Sequence, residues 1–191
     1  MKEVIVISGF GRCGSSLTMQ MLKATGLEVL GRPPGYELQE CNPSTFNAKW
    51  IAQQYGKVLK VLIPRECGLI KSKYKFIWVH RDHFECAKSI AKFQYYLNPT
   101  IKEVTGKDIM RMYEKNIKEE PEQLNYLTNL GSVCIIRFED LIMIPNTVAE
   151  NIAEYLEMDL DIKKMVSVVL FRDIKCQNDL NIEIKLMQET N

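Results

Sequence analysis

The sequence contains no apolar run near the roughly 18 residues that a membrane-spanning helix needs. It has no excess of one charge: Lys and Arg number 25, Asp and Glu 24, for a net charge of +1. A broad positive field of the kind that captures nucleic acid is therefore not expected. Histidine occurs only twice, and the six cysteines (Cys13, Cys41, Cys67, Cys86, Cys134, Cys176) form no C-x-x-C pair. That removes the spacing signature of a zinc ribbon or a dense disulfide scaffold. Reduced thiols, a cytoplasmic location and no bound metal are the expectation. No repeat, low-complexity tract or linker divides the 191 residues. With 46% hydrophobic and 26% charged residues, the chain has the composition of one globular domain spanning residues 1–191.

The order of elements is legible. Residues 3–8 are β-branched and apolar, as in a strand buried on both faces, and too short for a signal peptide. A glycine-rich turn follows at Gly9–Gly14, then a helix from Ser15 to about Thr25, stopped by Gly26. Further strands are expected at 27–30, 57–63, 75–80 and 132–137. Helices are expected at 45–55, 83–96, 107–129 and 146–157, with one or two more in 161–188. Strands alternating with helices predict a three-layer α/β/α fold, P-loop-like, with a central parallel sheet of about five strands. Such sheets bind ligands at the carboxyl ends of their strands.

Two segments lie at such ends. The first is Ser8-Gly9-Phe10-Gly11-Arg12-Cys13-Gly14-Ser15-Ser16. A strand feeding a glycine turn that opens a helix presents amide donors and the positive end of the helix dipole, so it favours an anion. Arg12 adds a cationic fork, and Ser15 and Ser16 add hydroxyls. Gly9-x-Gly11-x-x-Gly14 fits the dinucleotide fingerprint, but the second strand ends Leu30-Gly31-Arg32 without the acid that would hold a ribose. Gly9-x-x-x-x-Gly14 opens like a nucleotide P-loop, but Ser15 stands where the phosphate-binding Lys belongs. A cysteine-phosphatase loop fails because Met19 stands where its Arg is needed. The second segment runs Phe76-Ile77-Trp78-Val79-His80-Arg81-Asp82 and continues to Ser89, eight residues after Arg81 and two helical turns along. Its His80-Arg81-Asp82 triplet lacks the Asn of a protein-kinase catalytic loop, Ala87 being in its place.

Together the two segments resemble the cofactor motifs of the sulfotransferases that use 3′-phosphoadenosine 5′-phosphosulfate (PAPS), in particular small bacterial-type members. Arg12-Cys13-Gly14-Ser15-Ser16 is similar to their 5′-phosphosulfate loop, with Cys13 where Ser is usual. Arg81 and Ser89 match the pair that takes the 3′-phosphate. Lys57–Pro64, Gly35-Tyr36-Glu37 and Arg137-Phe138-Glu139-Asp140-Leu141 are weaker matches, and the likeness runs from about residue 3 to 172.

The resemblance implies transfer of a sulfuryl group from PAPS to a hydroxyl or amine of a small-molecule or saccharide acceptor. Adenosine 3′,5′-bisphosphate (PAP) would be left, and no metal is needed. Arg12 and Lys60 would carry the charge developed on transfer. Glu37 is placed for the general base, with Glu40 and His83 in reserve, because Leu62 occupies the position of the usual His. Arg172, with Lys175, would stand in for a C-terminal cofactor loop that the sequence lacks. Tyr36, Phe46, Trp50, Tyr95 and Tyr96 are candidates to line an acceptor pocket. Two other readings stay open: a nucleotide or nucleoside kinase with a degenerate loop, and a non-catalytic nucleotide-binding relative.

Overall fold

The computed structural model describes residues 3–33, 35–97 and 104–170. Four parallel strands form the sheet: β1 (Val4–Ser8), β2 (Val58–Lys60), β3 (Tyr74–His80) and β4 (Gly131–Arg137), in the order β2-β1-β3-β4. β1 sits inside, pairing Ile7 with Lys60 on one side and Ser8 with Trp78 on the other. β3 pairs His80 with Arg137. The carboxyl ends of all four strands therefore come level, and the loops that follow share one rim.

The helices are α1 (Ser15–Ala24), α2 (Ala48–Ile51), α3 (Pro64–Cys67), α4 (His83–Leu97), α5 (Gly106–Thr128), α6 (Phe138–Met143), α7 (Pro145–Leu156) and α8 (Ile162–Leu170). Alternate residues of the inner strands feed two cores. Ile5, Ile7 and Ile77 pack with Leu17, Met21 and Leu22 of α1, Val148 and Ile152 of α7, and Met165 of α8. Val4, Val6, Phe76 and Trp78 pack on the other face with Ile51, Leu59 and Leu127. This is the expected three-layer α/β/α arrangement around a parallel sheet.

The expected fifth strand is not there. Residues 27–30 make a single isolated bridge, Val29 to Val58, and Leu27 and Val29 are held by packing on the core instead of by a ladder. The strand expected at 57–63 ends at Lys60, because Ile63 turns into the left-handed region (φ 44°) and Pro64 then opens α3. The helix expected at 45–55 shrinks to α2, capped by the Asn47 side chain accepting from the Trp50 amide at 3.0 Å. Among the described residues no helix is long and apolar enough to cross a membrane.

Candidate functional site

The β1–α1 loop is shaped by its glycines. Gly14 caps α1 at φ 102°, a left-handed conformation that costs a side-chain-bearing residue free energy. A Cβ there would stand 2.4 Å from the Phe138 ring. Gly9 is equally confined: its Cβ would meet Cys13 Sγ at 2.6 Å and the Val79 carbonyl at 2.7 Å. No side chain caps the N-terminus of α1, and its first turn holds no acid. Cys13 is 1% exposed and belongs to the core, where burial raises its thiol pKa above the ordinary value. Its thiol stays inside the loop, in hydrogen-bonding contact with Ser15.

The two sequence segments meet in space. Arg81, just past β3, donates from Nη1 to the Arg12 carbonyl at 2.9 Å. Its guanidinium lies 4.7 Å over the Phe138 ring, and that of Arg12 lies 4.7 Å over Phe93. Aromatic faces help to hold both cations in place. Burial first, and the nearby Arg81 charge second, hold the Arg12 pKa below the usual arginine value. Two neighbouring cations beside an uncapped helix start favour an anion near them. Cys86 Sγ also donates to the Gly11 carbonyl at 3.3 Å, and the Asp82 amide donates to Glu139 Oε1 at 3.0 Å. The loops after β1, β3 and β4 are thus tied to one another. Asp82 Oδ1 caps α4 through the amides of Phe84 and Glu85. Ser89 lies half-buried on the same helix.

On the other side of the loop, Lys60 ends β2 only 3% exposed. A buried ammonium must be paired and hydrogen-bonded. Nζ contacts Glu37 Oε1 at 2.5 Å, Ser16 Oγ at 3.3 Å and the Gly35 carbonyl. Ser16 Oγ itself donates to the Gly35 carbonyl at 3.1 Å. Glu37, Lys60 and Ser16, all singled out from the sequence, therefore share one cluster.

Other expected residues fall elsewhere. Glu40 sits in a short turn, Gln39–Cys41. His83 faces Glu120 of α5 with Nε2 3.1 Å from Oε2. Of the aromatic residues suggested for an acceptor pocket, Tyr36 is 2% exposed and belongs to the core, a correction to that expectation. Phe46 and Trp50 pack partly buried against the second core. Arg172 and Lys175 lie outside the described residues, as does the side chain of Tyr96. Sequence reasoning missed Phe138, Phe93 and Glu120. Phe138 stands in a segment it did single out, but nothing in that pattern shows a ring wedged between Gly14 and Arg81.

No known sequence family matches the chain, and no curated protein matches it at a significant level. Solved structures do. Mouse sulfotransferase SULT7A1 complexed with PAP aligns with TM-score 0.59 at 13% identity, covering 88% of this chain and 65% of that one. Retinol dehydratase in complex with androsterone and inactive cofactor PAP gives 0.57 at 12%, covering 91% and 65%. Sulfotransferase STF9 from Mycobacterium avium gives 0.60 at 10%, covering 90% and 68%. The chain has the sulfotransferase fold. It spans about 65% of the length of the first two of these structures. Within the sulfotransferase fold, the β1–α1 loop and the β3–α4 turn occupy the rim where sheets of this type take their ligands.

Proposed function

We propose that this chain is a PAPS-dependent sulfotransferase, acting on a hydroxyl or amine of a small-molecule or saccharide acceptor. The observation that carries the reading is the contact between Arg81 and the Arg12 carbonyl. It joins the two segments that resemble a phosphosulfate loop and a 3′-phosphate site, within a fold shared with PAP-complexed sulfotransferases. The residues fit the cofactor chemically. The start of α1 has no side-chain cap and no acid in its first turn, and Arg12, Arg81 and Lys60 supply positive charge around it.

When bound, PAPS supplies the activated sulfuryl group. In this reading the main chain of Gly14–Ser16 and the Arg12 side chain bind the 5′ end, while Arg81 and Ser89 bind the 3′-phosphate. Sulfuryl transfer resembles phosphoryl transfer in resting on positioning and charge neutralisation. Lys60 and Arg12 hold positive charge near the leaving side. Glu37 takes the acceptor proton at its carboxylate. The 2.5 Å contact of Glu37 with Lys60 keeps the base and the cation together before substrates arrive. One structural neighbour is in complex with androsterone, a compact organic molecule, which is in line with a small-molecule acceptor.

A thermal-shift series tests the reading. Saturating PAP is expected to raise Tm more than ADP or ATP with magnesium, since a ligand stabilises by its affinity for the native state. Equal or greater stabilisation by ATP with magnesium would overturn it in favour of a kinase.

A further inference from the structure

The chain has only two histidines, and they meet in one place. His80 ends β3, His83 opens α4, and Glu120 reaches them from α5, about forty residues later. His80 Nδ1 lies 2.9 Å from Glu120 Oε1 and 3.1 Å from Oε2. His83 Nε2 lies 3.1 Å from Oε2. One ligand atom from each residue falls within 4.8 Å of the other two. The three side chains are 26%, 20% and 12% exposed, so the cluster is half-buried yet open to solvent. His83 Nδ1 is buried without a hydrogen-bond partner, so this ring makes its polar contact through Nε2.

The surroundings hold these groups in place. The Trp78 indole N–H donates to Glu120 Oε1 at 2.7 Å and orients the carboxylate. Phe10 packs edge-on against Trp78 (5.6 Å between centroids) and against His83 (6.4 Å). The two imidazoles stand nearly perpendicular, at 81° and 5.2 Å.

We propose that His80, His83 and Glu120 form a binding site for a first-row divalent transition-metal ion of the zinc type. This inference does not depend on the PAPS reading. Two imidazole nitrogens and one carboxylate oxygen are the donors such ions prefer, and not those that hold magnesium or calcium. A tetrahedral ion bound at about 2.0–2.1 Å keeps its ligands roughly 3.3 Å apart. Both His-to-Glu separations lie within a few tenths of an ångström of that. Three protein ligands leave a fourth position for water or a substrate group. The ligands come from a strand end and two helices, so a bound ion would fasten α4 and α5 to β3. The Trp78 contact to Glu120 supplies the outer hydrogen bond that orients a ligating carboxylate. The sequence offers His80 and His83 as possible ligands but predicts no metal, because the third ligand, Glu120, is remote in the chain.

Cobalt(II) titration of the full chain under reducing conditions tests the proposal. Expected is one Co²⁺ per chain with visible d–d absorption, no thiolate charge-transfer band, displacement by Zn²⁺, and a rise in Tm. His80→Ala, His83→Ala and Glu120→Gln should each weaken Co²⁺ binding more than about 100-fold, and Trp78→Phe about 10-fold, since outer-shell partners count for about 10- to 100-fold. Glu120→Gln keeps the side-chain shape, and circular dichroism checks that each variant is folded. No Co²⁺ uptake by the wild type would overturn the proposal. So would a thiolate band, or binding that survives in the folded variants, because the ion would then sit on cysteines.

Discussion

Two helix N-termini in this protein solve the same problem in opposite ways. At α5, Thr105 and Asp108 form a capping box: Thr105 Oγ1 accepts from the Asp108 amide at 3.3 Å, and Asp108 Oδ2 accepts from the Thr105 amide at 3.1 Å. Asp108 adds a negative charge to the first turn. At α1 the cap is Gly14, with no side-chain acceptor and no acid. Every helix start has amide donors that need partners. α5 supplies them from its own sequence. α1 supplies none from side chains and instead gathers Arg12 and Arg81 nearby. The difference separates a helix start capped by its own side chains from one left uncapped, where the proposed cofactor would supply the acceptors.

The largest expected break in this comparison is Gly14→Ala. The substitution forces a left-handed residue and drives a methyl into Phe138. Left-handed strain and overpacking together are expected to cost about 3 kcal/mol of stability, read from urea denaturation. Adding Phe138→Ala should return part of that loss, because the two residues share one contact. Thr105→Ala is the matched change at α5. It should cost about 1 kcal/mol and leave PAP affinity unchanged. If Thr105→Ala weakened PAP binding as much as a change in the α1 loop, the division between the two termini would fail.

Smaller effects follow from titration. Hydrogen bonds from Thr105 hold the Asp108 pKa below its ordinary value of 3.8. The capping contribution is therefore present above about pH 4 in the folded protein and is lost as pH falls through the lowered value. The gap between acid melts of wild type and Thr105→Ala should narrow at low pH, leaving the part due to the Asp108 amide bond to Thr105 Oγ1. At the α1 loop the sign is reversed. Burial pushes the Cys86 thiol from 9.0 to about 12. Above pH 9 the unfolded thiol ionises and the folded one does not, so stability should fall as pH rises from 9 towards 12. Cys86 should accordingly resist alkylation at pH 8 in the native protein and react once urea unfolds it.

The sequence made some parts of the site readable and hid others for physical reasons. The β1 strand, its glycine turn and α1 are contiguous, so pattern and punctuation expose them together. The positions of Arg81 at a strand end and of Ser89 on α4 were readable from the strand end and the helical spacing. The meeting of Glu37 with Lys60 was not, since it joins a loop to a strand end across 23 positions. Phe138 acts through shape, filling the space beside Gly14, and shape leaves no spacing signature. Residues 27–30 have strand-like composition but gain their stability from packing, with one bridge in place of a ladder. The short helices α3 and α6 are each set by a local turn at a strand end, below the length at which hydrophobic periodicity is informative.

In the proposed function Arg12 and Arg81 hold the two phosphate ends of one PAP-type cofactor. Calorimetric titration with PAP, on wild type and on Arg12→Ala and Arg81→Ala, tests it most directly. Expected is binding by the wild type that weakens about 10- to 100-fold in each variant, the loss typical of one charged hydrogen-bonding partner. Melting temperatures should stay close to that of the wild type. Wild-type affinity retained in both folded variants, or no PAP binding by the folded wild type, would contradict it.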